Sequence, residues 1–141
     1  MIFQEILVPL DGSEHSSRAL EVAIQLAKQL KCKLALLTVY SMVAASGSSP
    51  ELSLMAIDAS RDRGKEILKK AEEKVNSEMI EVETELAAGT AVETIVEKSK
   101  EGKFDMIVMG ARGLGTMKKL LIGSVSEGVI KNAPCPVLIV K

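Results

Sequence analysis

Two glycines three apart, Gly110 and Gly113, are followed after nine further residues by Gly123-Ser124. Glycine permits close backbone approach and turns with positive φ, and a glycine-rich turn that opens a helix presents unpaired N–H groups to phosphate. The apolar run Met106-Ile107-Val108-Met109 leads directly into this spacing, giving the order strand, turn, helix start that a nucleotide site needs. In that reading Gly110 and Gly113 keep the turn open to a phosphate chain, while Gly123 and Ser124 begin a short helix whose dipole favours anions. Ser124 and Ser126 add hydroxyl donors, and Arg112, Lys118 and Lys119 add positive charge. The same residues would also make an ordinary glycine-rich connection with a serine N-cap.

A second candidate group stands near the N-terminus. Pro9-Leu10-Asp11-Gly12-Ser13 follows an aliphatic run, so Asp11 sits where a strand end meets a turn. A carboxylate there can accept from ribose hydroxyls or hold a divalent ion such as Mg²⁺ or Mn²⁺ beside phosphates; its plain alternative is capping of the turn and the next helix. Val39 and Met109, each at a strand end, would serve as apolar walls for a purine ring or simply as core. His15, the single histidine, lies at a helix start beside Ser13 and Ser16 and reads as an exposed polar residue with no partner cluster.

The elements that must position these residues follow from periodicity. Ile2 to Leu10 reads as a buried strand, and Glu14 to Leu30 as an amphipathic helix with Ala19, Leu20, Ala23, Ile24 and Ala27 on its apolar side. Lys33 to Tyr40 is a second strand, Ser41 to Pro50 a small-residue loop, and Glu51 to about Ser77 a helix in which Gly64 suggests a bend. Glu81 to Ala87 alternates charge with apolar residues, as a half-exposed strand near a sheet edge does. A helix over Ala91 to Lys100, a strand over Lys103 to Met109, a short helix over Ser124 to Lys131 and a strand over Pro136 to Val140 complete the order. Alternating strands and helices predict one domain over residues 1–141, an α/β three-layer sandwich on a five-stranded parallel sheet. Ligands on such sheets lie beyond the carboxyl ends of the strands where the winding reverses.

Composition excludes other classes. With 18 basic and 19 acidic side chains and a formal net charge of -1, the chain has no positive excess to hold a nucleic acid. One tyrosine and two phenylalanines supply no stacking platform, so the core must be aliphatic. Cys32 and Cys135 lack a C-x-x-C spacing and read as reduced, mostly buried thiols, and no apolar stretch approaches bilayer length, so a cytoplasmic protein away from membranes is expected. No G-x-x-x-x-G-K-[ST] loop is present, and no G-x-G-x-x-G follows the first strand.

Gly110-x-x-Gly113, nine residues, Gly123-Ser124 resembles the nucleotide motif of the universal stress protein family. The opening Ile6-Leu7-Val8-Pro9-Leu10-Asp11-Gly12-Ser13 and the closing Asn132-Ala133-Pro134-Cys135-Pro136-Val137-Leu138-Ile139-Val140 are similar to that family's first and last segments. The resemblance covers essentially the whole chain. It implies strand order 3-2-1-4-5, ATP binding, a homodimer paired through the last strand, and a role in surviving stress. By the same resemblance, binding positions fall on Pro9 and Asp11 with Leu10 between them, on Val39 beside adenine, and on Gly110, Arg112 and Gly113 around ribose and phosphates. Gly123, Ser124, Val125 and Ser126 fall at the phosphates. Independently, Val137-Leu138-Ile139-Val140 would be a bare apolar edge if it ends the sheet, and such edges invite pairing unless a helix and Lys141 protect them.

The residues favour a nucleotide-dependent binding module or switch. A slow ATPase or an adenylating enzyme of the same nucleotide-binding superfamily is the alternative, but no base placed beside the phosphates can be identified, and 141 residues leave little room for substrate segments.

Overall fold

The computed structural model describes residues 3–42, 47, 49–113 and 122–141. Five strands, β1 (Glu5–Pro9), β2 (Lys33–Tyr40), β3 (Val82–Ala88), β4 (Met106–Gly110) and β5 (Val137–Val140), form one sheet in the order β3-β2-β1-β4-β5. Every neighbouring pair is parallel. The helices are α1 (Glu14–Leu30), α2 (Pro50–Ser77), α3 (Ala91–Glu101) and α4 (Ser124–Asn132). This is the predicted three-layer α/β sandwich with its predicted strand order.

Strand residues alternate between two aliphatic cores, as period-two geometry requires. Ile6, Val8, Leu34, Leu36 and Val108 pack with Ala19, Leu20, Ala23 and Ile24 of α1 and Leu68, Ala71 and Val75 of α2. Leu7, Ala35, Leu37, Ile107 and Met109 face the opposite way, against Ile95 of α3 and Val129 of α4. The winding reverses between β1 and β4, whose register pairs Ile6 with Met106 and Leu7 with Ile107. Loops leaving those two strands therefore emerge side by side at the carboxyl edge of the sheet.

Several boundaries differ from the sequence expectation. Helix α2 begins at Pro50, capped by the Ser49 hydroxyl, which accepts from Leu52 N–H at 3.2 Å. It also runs through Gly64 without interruption; a Cβ there would stand 2.6 Å from Leu86 Cδ1, so this glycine marks the contact of α2 with β3. Strand β4 starts at Met106, not Lys103, because Lys103 adopts φ 53 in the turn that ends α3. Asp105 then accepts from the N–H groups of Gln4 and Glu5 at 2.8 and 3.0 Å, aligning the starts of β1 and β4. Residues 43–46 and 48 of the loop expected over Ser41 to Pro50 lie outside the described residues.

Both sheet edges carry their own chemistry. β3 is an edge strand, as its alternating charges predicted, and Lys98 of α3 reaches Glu85 upon it at 2.6 Å, which pushes the Lys98 amine up. β5 forms the other edge, with Leu138 38% exposed. Cys32 and Cys135 are both free thiols, the first buried and the second half-buried, and burial pushes each thiol up. Among the described residues no helix is long and apolar enough to cross a membrane.

Candidate functional site

The turn after β1 is built by local hydrogen bonding. Gly12 takes φ +84, a conformation side chains disfavour, and lets the chain turn back into α1. Asp11 Oδ1 accepts from Ser13 N–H at 2.9 Å, and the Ser13 hydroxyl accepts from Ser16 N–H at 3.1 Å, capping α1. The plain role of Asp11 as a turn cap is thus real. Its second oxygen has another neighbour: a Cβ on Gly113 would stand 2.3 Å from Asp11 Oδ2.

Gly110 behaves in the same way. A Cβ on it would stand 2.7 Å from the carbonyl carbon of His15, so the missing side chain lets β4 pass against the first turn of α1. Neither Gly110 nor Gly113 has a positive φ. Their expected use in a left-handed turn gives way to close approach, and the two glycines bring the β1 and β4 loops into contact.

Helix α4 completes that junction. Gly123 is its N-cap and has no side chain to satisfy the first turn, so the N–H groups of Ser124, Val125 and Ser126 have no acceptor inside the helix. Gly123 N–H donates to Ala111 O at 2.6 Å, and the Ser126 hydroxyl, 2% exposed, donates to the same carbonyl. The Ser126 hydroxyl was expected to donate to phosphate. Its one hydrogen is instead used to hold α4 against the loop after β4.

These loops enclose a cleft of ≈ 490 Å³, within the usual range for small-molecule sites. Pro9, Leu10 and Asp11 line it from β1, Val39 from β2, and Met109, Gly110, Arg112 and Gly113 from β4. Gly123, Ser124, Val125 and Ser126 line it from α4, so every residue predicted for the site is brought to one cavity. Lys118 and Lys119 lie outside the described residues.

Sequence reasoning missed one wall and one neighbour. The wall is α2, which contributes Ser60, Arg63, Gly64 and Ile67, with Thr38 and Tyr40 beside them on β2 and Ala91 and Ile95 on α3. Gly64 was the available signal, since a small residue in a long helix marks close packing as readily as a bend. The neighbour is His15, which is half-buried and not exposed. Its Nε2 lies 3.3 Å from Arg112 Nη2, and loss of solvent, followed by the charges of Arg18 and Arg112, holds its imidazole below the usual histidine range.

Among the described residues, Asp11, Arg63 and Arg112 are the charged ones lining the cleft, a positive balance suited to an anion. Among the described residues no group of three or more His, Cys, Asp or Glu side chains is placed to hold a metal ion.

The universal stress protein family matches residues 3–141. A universal stress protein of Methanocaldococcus jannaschii is 36% identical over 141 residues, covering 99% of this chain and 83% of the relative. Universal stress protein UspA from Lactobacillus plantarum superposes with a TM-score of 0.91 at 25% identity, covering 100% of this chain and 99% of that one. A universal stress protein solved in complex with cAMP gives 0.75 at 29% identity, covering 100% and 99% of the two chains. One from Archaeoglobus fulgidus, in complex with dAMP, gives 0.68 at 26% identity and covers 100% of each. A glycine motif at a reversal of winding, the same strand order as these structures and a family match along nearly the whole length converge: the chain belongs to the universal stress protein family.

Proposed function

We propose that this protein binds an adenine nucleotide in the cleft between β1, β4 and α4, with ATP as the ligand, and acts as a nucleotide-dependent switch in stress response. The observation that carries this reading is the uncapped first turn of α4 facing a cavity lined by Arg112 and Arg63. Three N–H groups and two guanidinium groups around one space suit phosphate oxygens. Val39 and Met109 offer apolar surface to a purine, and Asp11 offers a carboxylate to ribose hydroxyls. The relatives solved with cAMP and dAMP support an adenine nucleotide as the ligand class.

A bound Mg²⁺ or Mn²⁺ would supply charge neutralisation on the phosphates. Asp11 is the one carboxylate among the cleft's described residues, so most ligands of such an ion would be phosphate oxygens and water. We take Asp11, the cleft's one carboxylate among the described residues, as the ribose ligand, and any hydrolysis therefore to be slow. The cleft residues hold and orient; the switch consists of what the loops around them do when filled. We place the protein in the cytoplasm, in keeping with two free thiols, and propose a homodimer paired through Val137–Val140 at the open edge of β5.

The test is mass spectrometry of ligand released on denaturing freshly purified protein, with ATP titration of wild type and Gly113→Val. A side chain at Gly113 meets Asp11 Oδ2 and displaces the carboxylate into the cleft. Co-purified ATP that is lost in the variant is the expected result. Wild type that carries no nucleotide and ignores added ATP, AMP and cyclic AMP would overturn the proposal.

A further inference from the structure

We infer that His15 is a positioning residue for the nucleotide, holding the Arg112 guanidinium on the cleft wall by accepting a hydrogen bond from it. The inference rests on the nucleotide reading of the cleft. Arginine carries only donors, so the 3.3 Å approach of Arg112 Nη2 to His15 Nε2 requires a lone pair on Nε2. The ring is then neutral with its proton on Nδ1. That nitrogen is buried and has no hydrogen-bond partner among the described residues. A histidine kept only for packing would turn its buried nitrogen to a partner; here the ring orientation satisfies Arg112 instead.

The base of the ring is rigid. His15 sits in the first turn of α1, which is fixed by the Ser13 cap and by Gly110 packed against the His15 backbone. His15 itself is not among the residues lining the cleft, whereas Arg112 is, so its effect on a ligand passes through Arg112. The charged groups around the imidazole are Glu14 and Arg18 on α1, Asp11 from the β1 loop and Arg112 from the β4 loop. One amino group committed to His15 fixes where the planar guanidinium stands on the cleft wall.

The experiment combines calorimetric titration with ATP and the ¹⁵N resonances of the imidazole. Wild type, His15→Gln, His15→Leu, Arg112→Ala and the His15→Leu/Arg112→Ala double variant are compared at neutral pH, with unfolding midpoints checking that each folds. Gln places an acceptor oxygen near the Nε2 position and should bind as wild type does. Leu should weaken binding about two- to tenfold, the scale of ordering one long side chain. In the Arg112→Ala background, Leu should cause no further loss. The wild-type ring should resonate as the neutral Nδ1–H tautomer, a readout that needs no variant. If wild type binds and Leu binds equally well, if Gln fails to restore affinity, if Leu weakens the Arg112→Ala protein too, or if the proton is on Nε2, the inference is overturned while the nucleotide reading stands. If wild type binds no adenine nucleotide, both fall.

Discussion

A methyl group added at Gly110 would meet backbone, whereas one added at Gly64 would meet the tip of the Leu86 side chain. Backbone cannot step aside, so Gly110→Ala should destabilise the fold by about 1–3 kcal/mol, the usual cost of overpacking. Gly64→Ala should fall near zero, because Leu86 can give way and the helix gains about 1 kcal/mol from losing a glycine. Urea denaturation of both variants checks the contrast; equal losses would mean that the two glycines are equivalent. His15 makes a separate prediction. The folded state holds its imidazole below the ordinary histidine value of 6.5, so the unfolded chain takes up the proton first. Stability is untouched well above that pH and falls as the pH drops through it. Urea midpoints at about pH 7.5 and 5.5 should converge in His15→Gln relative to wild type, since that variant has no imidazole to charge.

Helix α4 depends on one buried hydroxyl. Ser126→Ala removes its bond to Ala111 O, a carbonyl that keeps the Gly123 N–H, at a cost of about 0.5–1.5 kcal/mol. The same variant should speed hydrogen exchange at Glu127, whose N–H bonds to Gly123 O in α4, more than in β1; uniform acceleration would show that the bond serves the whole fold. At this scale the sequence was most legible where pattern and geometry share a period. Aliphatic runs gave the strands, and the Gly110-to-Ser124 spacing gave the β4 side of the cleft, because glycines at fixed separations are visible without knowing the fold. The α2 wall was not legible. Which face of a 28-residue helix meets a cleft depends on its crossing angle over β2 and β3, and Ser60 and Arg63 look in the sequence like any solvated positions. His15 was misread for a related reason: its burial comes from Gly110, almost a hundred residues away in the chain. Ser126 does line the cleft, but its hydroxyl hydrogen goes to a backbone carbonyl, a partner that leaves no mark in composition.

For the molecule as a whole, β5 ends the sheet and is the edge through which the proposed dimer would pair. Leu138, 38% exposed on that strand, is replaced by a charge in Leu138→Lys. If two copies pair through β5, like charges meet across the two-fold axis, and light scattering should report a monomer while wild type is a dimer. An unchanged mass in both would remove β5 from consideration as the interface. Adding ATP should raise the wild-type unfolding temperature by mass action, and do so less in Gly113→Val. The central pairing of the sheet has a different consequence. β1 lies beside β4 although the whole first half of the fold separates them in sequence, and the cleft takes Asp11 from one and Arg112 with α4 from the other. A growing chain therefore holds only the β1 side of the cleft until α4 has followed it. Capture of a ligand in the proposed site consequently waits for the two halves of the sheet to meet, and occupancy would report that β1, β4 and α4 have already assembled.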